Sequence, residues 1–227
     1  MDELRAQLIA TARAMGSAGL NKGTAGNLSV RAGTGFLITP TGMDYASLEC
    51  ADLPWMSLEG EARGRRRPSS EWRFHRDLYA ARPEVGAVLH AHSPFAVSLA
   101  CLRREIPPFH YMIARFGGTT VRCGAYALFG TQALSDAALA ALEGRSACLL
   151  ANHGMLVAGR DLKQALDLGI ELESLCEQYW RACQLGEPVL LSAAEMAEVL
   201  EHFRHYGQQP GQQSSQQPGQ QAGGKTP

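Results

Sequence analysis

The chain contains 227 residues, of which 45% are hydrophobic, and its 21 basic and 22 acidic residues give a formal net charge of -1. This length suits one well-packed α/β domain, whereas two full domains would be a tight fit. Because the charge is nearly balanced, no global field favours nucleic acid or an anionic membrane, and we expect neither as a partner. No segment approaches the ~18 consecutive apolar residues of a membrane span. The N-terminal residues lack the apolar core of a signal peptide, so we expect a cytoplasmic protein.

Six cysteines are present, and none of them forms a CxxC pair. Most lie in apolar surroundings, as Cys148 does within Ser-Ala-Cys-Leu-Leu. This pattern favours buried, reduced thiols over a disulfide framework.

Apolar periodicity in the first part of the chain predicts an amphipathic helix, then a β-hairpin, then a third strand. The basic run Gly-Arg-Arg-Arg-Pro follows at residues 64–68. We interpret this run as a solvated turn, in preference to a phosphate-binding loop. The predicted elements are a helix over residues 2–18 and strands over residues 27–31, 35–39 and 55–58.

The remainder of the chain alternates predicted strands with helices, as an α/β protein does. Ser69 and Ser70 are good N-caps for a helix that begins at Glu71. Gly186 and Pro188 stop a long helix whose apolar residues recur at spacings of three and four. The predicted elements are helices over residues 71–81, 94–102, 131–142, 161–185 and 193–206, and strands over residues 86–92, 119–123 and 147–151.

The composition changes abruptly after the last predicted helix. From residue 207 to residue 227, glutamines mix with Gly, Pro and Ser, and no aliphatic residue larger than Ala appears. Such a segment buries too little apolar surface to offset the entropy of ordering it. We therefore expect one domain over residues 1–206 and a disordered tail over residues 207–227 without a catalytic role.

Histidines follow two separate predicted strands. In a strand, the side chains of His90 and His92 point to the same face, and His153 directly follows another apolar strand. Three neutral imidazoles with an open position are typical of catalytic zinc. His90 and His92 alone fit equally well a packed histidine beside a solvated one, and His153 favours the metal site.

Two further features are weaker signals for chemistry. Glu71 lies in the first turn of a predicted helix, where an acid is also simply favourable near the positive helix end. The loop GTAGN at residues 23–27 allows close backbone approach, and its Thr24 and Asn27 offer donors. With Ser69 and Ser70 at a helix N-terminus, this loop is suited to hold a phosphate without any lysine.

Seven short motifs occur in one order within about residues 5–207. This ordered set resembles the class II aldolase/adducin family, although each motif alone is weak. The motifs are GTAGN at 23–27, TPTG at 39–42, PSSEW at 68–72, HAH at 90–92, HYM at 110–112, YALFGT at 126–131 and NHG at 152–154.

The resemblance implies a single α/β domain with three α/β/α layers and a central, mostly antiparallel sheet. It also implies a homotetramer with fourfold symmetry, whose active sites lie between neighbouring subunits. The implied activity is cleavage of a ketose 1-phosphate to dihydroxyacetone phosphate and an aldehyde. The implied cofactor is Zn²⁺, with Co²⁺ or Mn²⁺ as alternatives, and the metal acts as a Lewis acid.

The functional residues of the family carry over to matching positions of this chain. The metal ligands correspond to His90, His92 and His153, with Glu71 binding the metal in the resting enzyme and later protonating the enediolate. Tyr111, contributed by an adjacent subunit, corresponds to the group that takes the C4 hydroxyl proton. The phosphate and substrate contacts correspond to Thr24, Gly26, Asn27, Thr41, Gly42, Ser69, Ser70 and Tyr206.

Arg115 and Phe116 depart from the resembled fuculose-type pattern, which has small residues near Tyr111. We interpret them as residues that reshape the pocket for the aldehyde part of the substrate, with plain packing as the alternative. A bulkier or more apolar aldehyde end suits 5-deoxyribulose 1-phosphate or 5-methylthioribulose 1-phosphate, by-products of nucleoside salvage. A substrate of the L-fuculose 1-phosphate type stays open.

Three other functions fall within the same resemblance. Pentulose-phosphate 4-epimerases tend to carry an aspartate where this chain has Glu71. Methylthioribulose-1-phosphate dehydratases bind similar substrates but eliminate water. A non-catalytic, adducin-like interaction module should lack the complete histidine set, so the sequence favours the lyase.

Overall fold

One sheet crosses the middle of the domain. The structure is a computed structural model, and it describes residues 1–205 and the side chains of residues 1–203. Within these residues the strands are β1 (Asn27–Ala32), β2 (Gly35–Ile38), β3 (Trp55–Ser57), β4 (Ala62–Arg63), β5 (Ala87–Ala91), β6 (Cys123–Gly124), β7 (Ala147–Leu150) and β8 (Gly154–Gly159). Their order is β4-β3-β2-β1-β5-β8-β7-β6, and every neighbouring pair is antiparallel except β6 and β7. The predicted mostly antiparallel sheet is confirmed.

Helices cover both faces of the sheet. In the described part of the chain they are α1 (Asp2–Ser17), α2 (Trp72–Ala81), α3 (Pro94–Ala100), α4 (Gln132–Ala141), α5 (Leu162–Leu185) and α6 (Ala193–His205). α1 and α3 pack against α5 on one face, and α2 packs against α4 on the other. The result is the three-layer α/β/α domain that the resemblance implied.

The sheet separates two hydrophobic cores, and β5 shows how one strand serves both. Leu89 and Ala91 belong to the core under α1, α3 and α5, whereas Val88 belongs to the core under α2 and α4. Because successive strand side chains point to opposite faces, His90 shares the face of Val88 and therefore lies toward α2. This alternation brings an imidazole to the helix that carries Glu71.

Most predicted elements match the structure, and the differences have local causes. The strand predicted at 119–123 is wrong, because only Cys123–Gly124 pairs in the sheet while Val121 bridges Ile106. β8 is not among the predicted strands, since its glycine-bounded run follows the His153 turn directly. The N-cap of α2 is Glu71 rather than a serine, and Ser69 Oγ accepts a hydrogen bond from the Glu71 N–H at 3.3 Å.

Other expectations are met in part. All six cysteines are unpaired, but Cys101 and Cys183 are exposed rather than buried. Residues 64–67 are exposed, as expected for a solvated turn, and the guanidinium groups of Arg65 and Arg66 pair with Asp52. None of the helices within residues 1–205 combines the length and the apolar composition needed to cross a membrane. The expected tail at 207–227 lies outside the described residues.

Candidate metal centre and active site

Three imidazoles converge at one end of the central strands. His90 is the fourth residue of β5, His92 follows the end of β5, and His153 lies in the turn between β7 and β8. The ring centroids are 4.7–4.8 Å apart in all three pairs. The Nε2 atoms of His90 and His92 lie 2.9 Å apart. The structure thus brings together the three histidines that the sequence singled out.

The β7–β8 turn is built to hold His153 against the neighbouring strand. Asn152 has a φ of 53°, a left-handed conformation that asparagine tolerates better than most residues. Gly154 starts β8 so close to β5 that a Cβ atom there would lie 2.4 Å from the Ala91 carbonyl oxygen and 3.1 Å from the ring of His92. A side chain at this position would push the two histidine-bearing segments apart.

Glu71 closes the fourth side of the cluster. Its Oε2 lies 3.3 Å from His90 Nε2, and its Oε1 lies 3.2 Å from His153 Nε2. Asn27 Nδ2 donates a hydrogen bond to Oε2 at 2.9 Å, whereas the buried Oε1 has no hydrogen-bond partner among the described residues. A buried carboxylate oxygen without a partner is costly unless a cation faces it.

The donor set fits a divalent metal. The ligand atoms of Glu71, His90, His92 and His153 all lie within 4.8 Å of one another. The backbone carbonyl of Met155 lies 2.8 Å from His90 Nδ1 and can only accept, so Nδ1 carries the proton and Nε2 turns its lone pair into the cluster. Three imidazoles and one carboxylate are ligands that zinc commonly takes.

The protonation states also favour a cation. Burial first, and then the close approach of the His90 ring, lower the pKa of both His92 and His153 to about 4, so both of these rings are neutral at pH 7. Burial raises the pKa of Glu71, but its contacts with His90, His153 and Asn27 outweigh burial and lower the pKa to about 2. Neutral imidazoles and an ionised carboxylate are the forms that bind metal.

A pocket of about 350 Å³ opens directly beside this cluster. Gly26 lies in one wall of the pocket, where only glycine fits. A Cβ atom at this position would lie 2.6 Å from Asn21 Oδ1 and 2.7 Å from the His90 carbonyl oxygen, and the φ of 79° also suits glycine. The pocket also contains every phosphate residue implied by the resemblance within the described chain, namely Thr24, Gly26, Asn27, Thr41, Gly42, Ser69 and Ser70.

Two predicted site residues are not joined to this pocket. Tyr111 does not line it; its side chain is 50% exposed and borders a separate groove with Arg115 and Phe203. Tyr206 lies outside the described residues. Phe116 is fully buried in the core, which favours the alternative interpretation of this residue as plain packing.

Arg115 also has a structural partner, since its Nη1 lies 2.9 Å from Glu171 Oε2 on α5. This ion pair ties the segment that carries Tyr111 to the long helix.

Residues that sequence reasoning overlooked complete the pocket. Tyr126, Leu128 and Phe129 line its rim with side chains more than half exposed, and Asn152 lines it beside His153. The motif YALFGT contains the three rim residues, but the order of motifs gives no reason to place them at the pocket.

His75 is a further residue that sequence reasoning overlooked. It is fully buried, and its Nε2 lies 2.5 Å from Asn27 Oδ1. The available signal is the spacing of Glu71, His75 and Tyr79, three polar residues four positions apart on one helix.

With this geometry, comparison with known proteins defines the class of the protein. Residues 6–180 match the model of the class II aldolase and adducin N-terminal domain. The chain therefore belongs to the class II aldolase/adducin family, and it is an enzyme of the aldehyde-lyase class to which the named aldolases among its relatives belong.

Particular relatives narrow the comparison. A 5-methylthioribulose-1-phosphate/5-deoxyribulose-1-phosphate aldolase from Rhodospirillum rubrum is 60% identical over 204 residues, covering 90% of this chain and 92% of the relative. An L-fuculose phosphate aldolase from Escherichia coli K12 is 42% identical, covering 91% of this chain and 96% of the relative. A solved L-fuculose 1-phosphate aldolase has a TM-score of 0.87 at 39% identity, covering 90% of this chain and 97% of that one.

Proposed function

We propose that this chain is a zinc-dependent aldolase that cleaves 5-methylthioribulose 1-phosphate or 5-deoxyribulose 1-phosphate to dihydroxyacetone phosphate and an aldehyde. The 60% identity to a relative named for both substrates supports this choice over L-fuculose 1-phosphate, which the 42% identity to the Escherichia coli enzyme supports less strongly. The observation that carries the reaction type is that one pocket combines a His/Glu cluster with the residues that the resemblance implies for phosphate binding.

His90, His92 and His153 would hold the metal, with Glu71 as a further ligand in the resting enzyme. A divalent ion bound there supplies Lewis-acid polarisation of the carbonyl and neighbouring hydroxyl of the substrate. The unpartnered Glu71 Oε1 and the neutral rings support this assignment. Zinc is the ion we propose, and cobalt or manganese would suit the same ligands.

The phosphate would lie at the other end of the pocket. Ser69 and Ser70 precede α2, whose N-terminus presents the positive end of the helix dipole to an anion, and Gly26 and Gly42 allow close approach. No Lys or Arg is present among the described residues that line the pocket. Neutral donors and the helix N-terminus would therefore bind the phosphate, as the GTAGN loop suggested.

Two proton transfers accompany cleavage of the C3–C4 bond. Tyr111 would take the proton of the C4 hydroxyl as the aldehyde departs, and Glu71 would return a proton to C3 to form dihydroxyacetone phosphate. One proton leaves the substrate and one is added, so the reaction is balanced. Because Glu71 rests as a carboxylate, it must acquire its proton within the cycle.

Tyr111 would reach the pocket from a neighbouring subunit of a homotetramer. Its own chain holds it outside the pocket, half exposed, and the rim residues Tyr126, Leu128 and Phe129 are exposed as well. Exposed aromatic and aliphatic side chains around a reaction site are typical of a surface that another subunit covers. We further propose that the enzyme works in the cytoplasm as one domain over residues 1–206.

The test is a panel of ketose 1-phosphates with release of dihydroxyacetone phosphate measured for each. We expect turnover of 5-methylthioribulose 1-phosphate and 5-deoxyribulose 1-phosphate, with the highest kcat/KM for one of these two. Preference for L-fuculose 1-phosphate would overturn the substrate proposal. Substrate loss without dihydroxyacetone phosphate would instead identify an epimerase or a dehydratase and overturn the reaction proposal.

A further inference from the structure

Five buried polar side chains form a continuous line between α2 and β1. Glu71, His75 and Tyr79 are four positions apart and share one face of the helix. Asn27 and Ser29 are two positions apart and share one face of the strand. Each of the five residues is at most 6% exposed, in a place where apolar side chains would ordinarily pack.

Every link in the line has hydrogen-bond length. Asn27 Nδ2 lies 2.9 Å from Glu71 Oε2, and Asn27 Oδ1 lies 2.5 Å from His75 Nε2. His75 Nδ1 lies 2.7 Å from Ser29 Oγ, which in turn lies 2.8 Å from Tyr79 Oη. Five residues from two elements therefore form one network that ends at the carboxylate of the metal cluster.

The direction of each bond follows from the carboxylate. An ionised Glu71 only accepts, so Asn27 must present its NH₂ group to Glu71 and its oxygen to His75. The Asn27 oxygen also only accepts, so His75 Nε2 carries a proton. Burial lowers the pKa of His75 to about 3, so the ring is neutral and carries no second proton at pH 7. Nδ1 of the neutral ring is then an acceptor, Ser29 donates to it, and the Ser29 oxygen accepts from Tyr79.

We propose that His75, Ser29 and Tyr79 are positioning residues that fix the side-chain amide of Asn27 and, through it, the orientation of Glu71. Asn27 holds Oε2 in place and leaves Oε1 turned toward His153, where the metal would bind. The reversed amide would face the carboxylate with its oxygen and the His75 N–H with its NH₂ group. Both contacts would be repulsive, so the proton on His75 Nε2 selects one orientation.

The proposal rests on the proposed function only in taking Glu71 as a metal ligand. Ser29→Ala removes the hydroxyl that donates to His75 Nδ1. Without this hydrogen bond, nothing at Nδ1 favours the tautomer that carries its proton on Nε2. We expect zinc affinity, measured by competition with a chelator, to fall about tenfold, the range typical of groups that orient a metal ligand. Cobalt-substituted protein should show a changed visible absorption spectrum.

Ser135→Ala is the matched control. Ser135 is a fully buried serine on α4 whose hydroxyl donates to Asp77 on α2 at 2.6 Å, and it has no link to Glu71 in the network described above. We expect it to lower the melting temperature about as much as Ser29→Ala does, with zinc affinity and the cobalt spectrum unchanged. Equal effects of the two variants on zinc affinity would overturn the proposal.

A double-mutant cycle locates the effect. In the Glu71→Ala background, adding Ser29→Ala should change zinc affinity less than about twofold, because the carboxylate that the network orients is gone. A tenfold effect that persists in this background would overturn the proposal. No sugar phosphate enters these measurements, so their outcome does not depend on which ketose 1-phosphate the enzyme cleaves.

Neutron diffraction from deuterated protein tests the hydrogen positions without any metal. We expect deuterium on His75 Nε2, none on His75 Nδ1, and the ND₂ group of Asn27 facing Glu71. In Ser29→Ala we expect a mixture of ring tautomers. Deuterium on Nδ1 of the unmodified protein would overturn the proposal even if zinc affinity responded to the variants.

Discussion

The two halves of the proposed active site differ in how far one chain completes them. Glu71 and the three histidines are held by the sheet, by Asn27 and by a backbone carbonyl, and they meet within a single chain. Tyr111 and the rim residues are half exposed or more, and Tyr111 lies outside the pocket. Folding of one chain organises the metal half, whereas in the homotetramer that we propose, a second copy would complete the acid/base half.

This contrast has a physical basis. Buried polar groups must find partners inside the chain, so their positions are determined by hydrogen bonds and packing. Exposed aromatic side chains face no such requirement until a subunit covers them. Variants of the metal half should therefore act within one chain, and variants of the other half should act between chains.

The largest effect is expected in the metal half, from Glu71→Gln. Glutamine keeps the shape and accepts the Asn27 hydrogen bond but transfers no proton, so kcat should fall about 10²- to 10⁴-fold. Zinc and melting temperature should stay near those of the unmodified protein. Exposed Glu187→Gln serves as the control and should keep full turnover. Near-normal kcat in Glu71→Gln would remove this residue from the mechanism.

His92→Ala should lose the metal and with it the activity. Two imidazoles and a carboxylate bind zinc much more weakly than the full set, so metal analysis after dialysis should find well below one zinc per chain. His202→Ala, at an exposed histidine, should retain zinc. Stoichiometric zinc in purified His92→Ala would refute the assignment of this ligand.

Mixed oligomers sharpen the contrast between the two halves. Tyr111→Phe and Glu71→Gln should each be nearly inactive, but subunits of both kinds reassembled together should regain activity. If Tyr111 acts on the neighbouring subunit, about one site in four of a random tetramer combines both intact residues. If Tyr111 instead acts on its own subunit, no site combines the two intact residues, and the mixture would stay inactive.

Acid should destabilise the metal-free protein through the buried histidines. The pKa values of His75, His92 and His153 lie at about 3, 4 and 4. Since the unfolded chain takes up protons near pH 6.5 and the folded chain does so only at lower pH, stability falls as pH falls.

Between pH 7 and pH 5.5 in EDTA, the loss should be about 1 kcal/mol for each of the three rings. Urea unfolding at the two pH values measures it, and the interval from pH 7.5 to pH 8.5 should show almost no change from these groups. A free energy of unfolding that is constant between pH 7 and pH 5.5 would contradict the neutral, buried state of these histidines.

The smallest effect is expected from removing residues 207–227. The tail has no large apolar side chains to bury, so kcat should change by less than about twofold and the melting temperature by less than about 2 °C. Truncation after Tyr206 removes only the tail, and truncation after residue 203 also removes the end of α6. Comparing the two therefore distinguishes the contribution of the tail to turnover from that of the end of α6. A large loss of turnover in the first truncation would show that the tail takes part in the site.

Much of the fold was predictable because its signals are local. The β1–β2 hairpin and the helices α2, α4 and α5 follow from alternation, periodicity and capping within a few residues. The bounds of β6 have no local signal because β6 pairs with β7 alone, and β8 is hard to recognise because a turn of only three residues separates it from β7. Pairing between distant segments has no local signature.

The sequence by itself determined the candidate ligand set of Glu71, His90, His92 and His153, the order of the motifs and the family. Residue type and spacing are sufficient for those conclusions, because a metal demands particular donor atoms. Only the tertiary structure decided that the Glu71 Oε1 is left without a partner among the described residues, that His75 Nε2 lies at hydrogen-bond distance from the oxygen of Asn27, and that Tyr111 does not line the pocket. Hydrogen bonds and metal ligation depend on tenths of an ångström between residues such as Asn27 and Glu71, which are 44 positions apart, and such distances arise only when the sheet and helices pack.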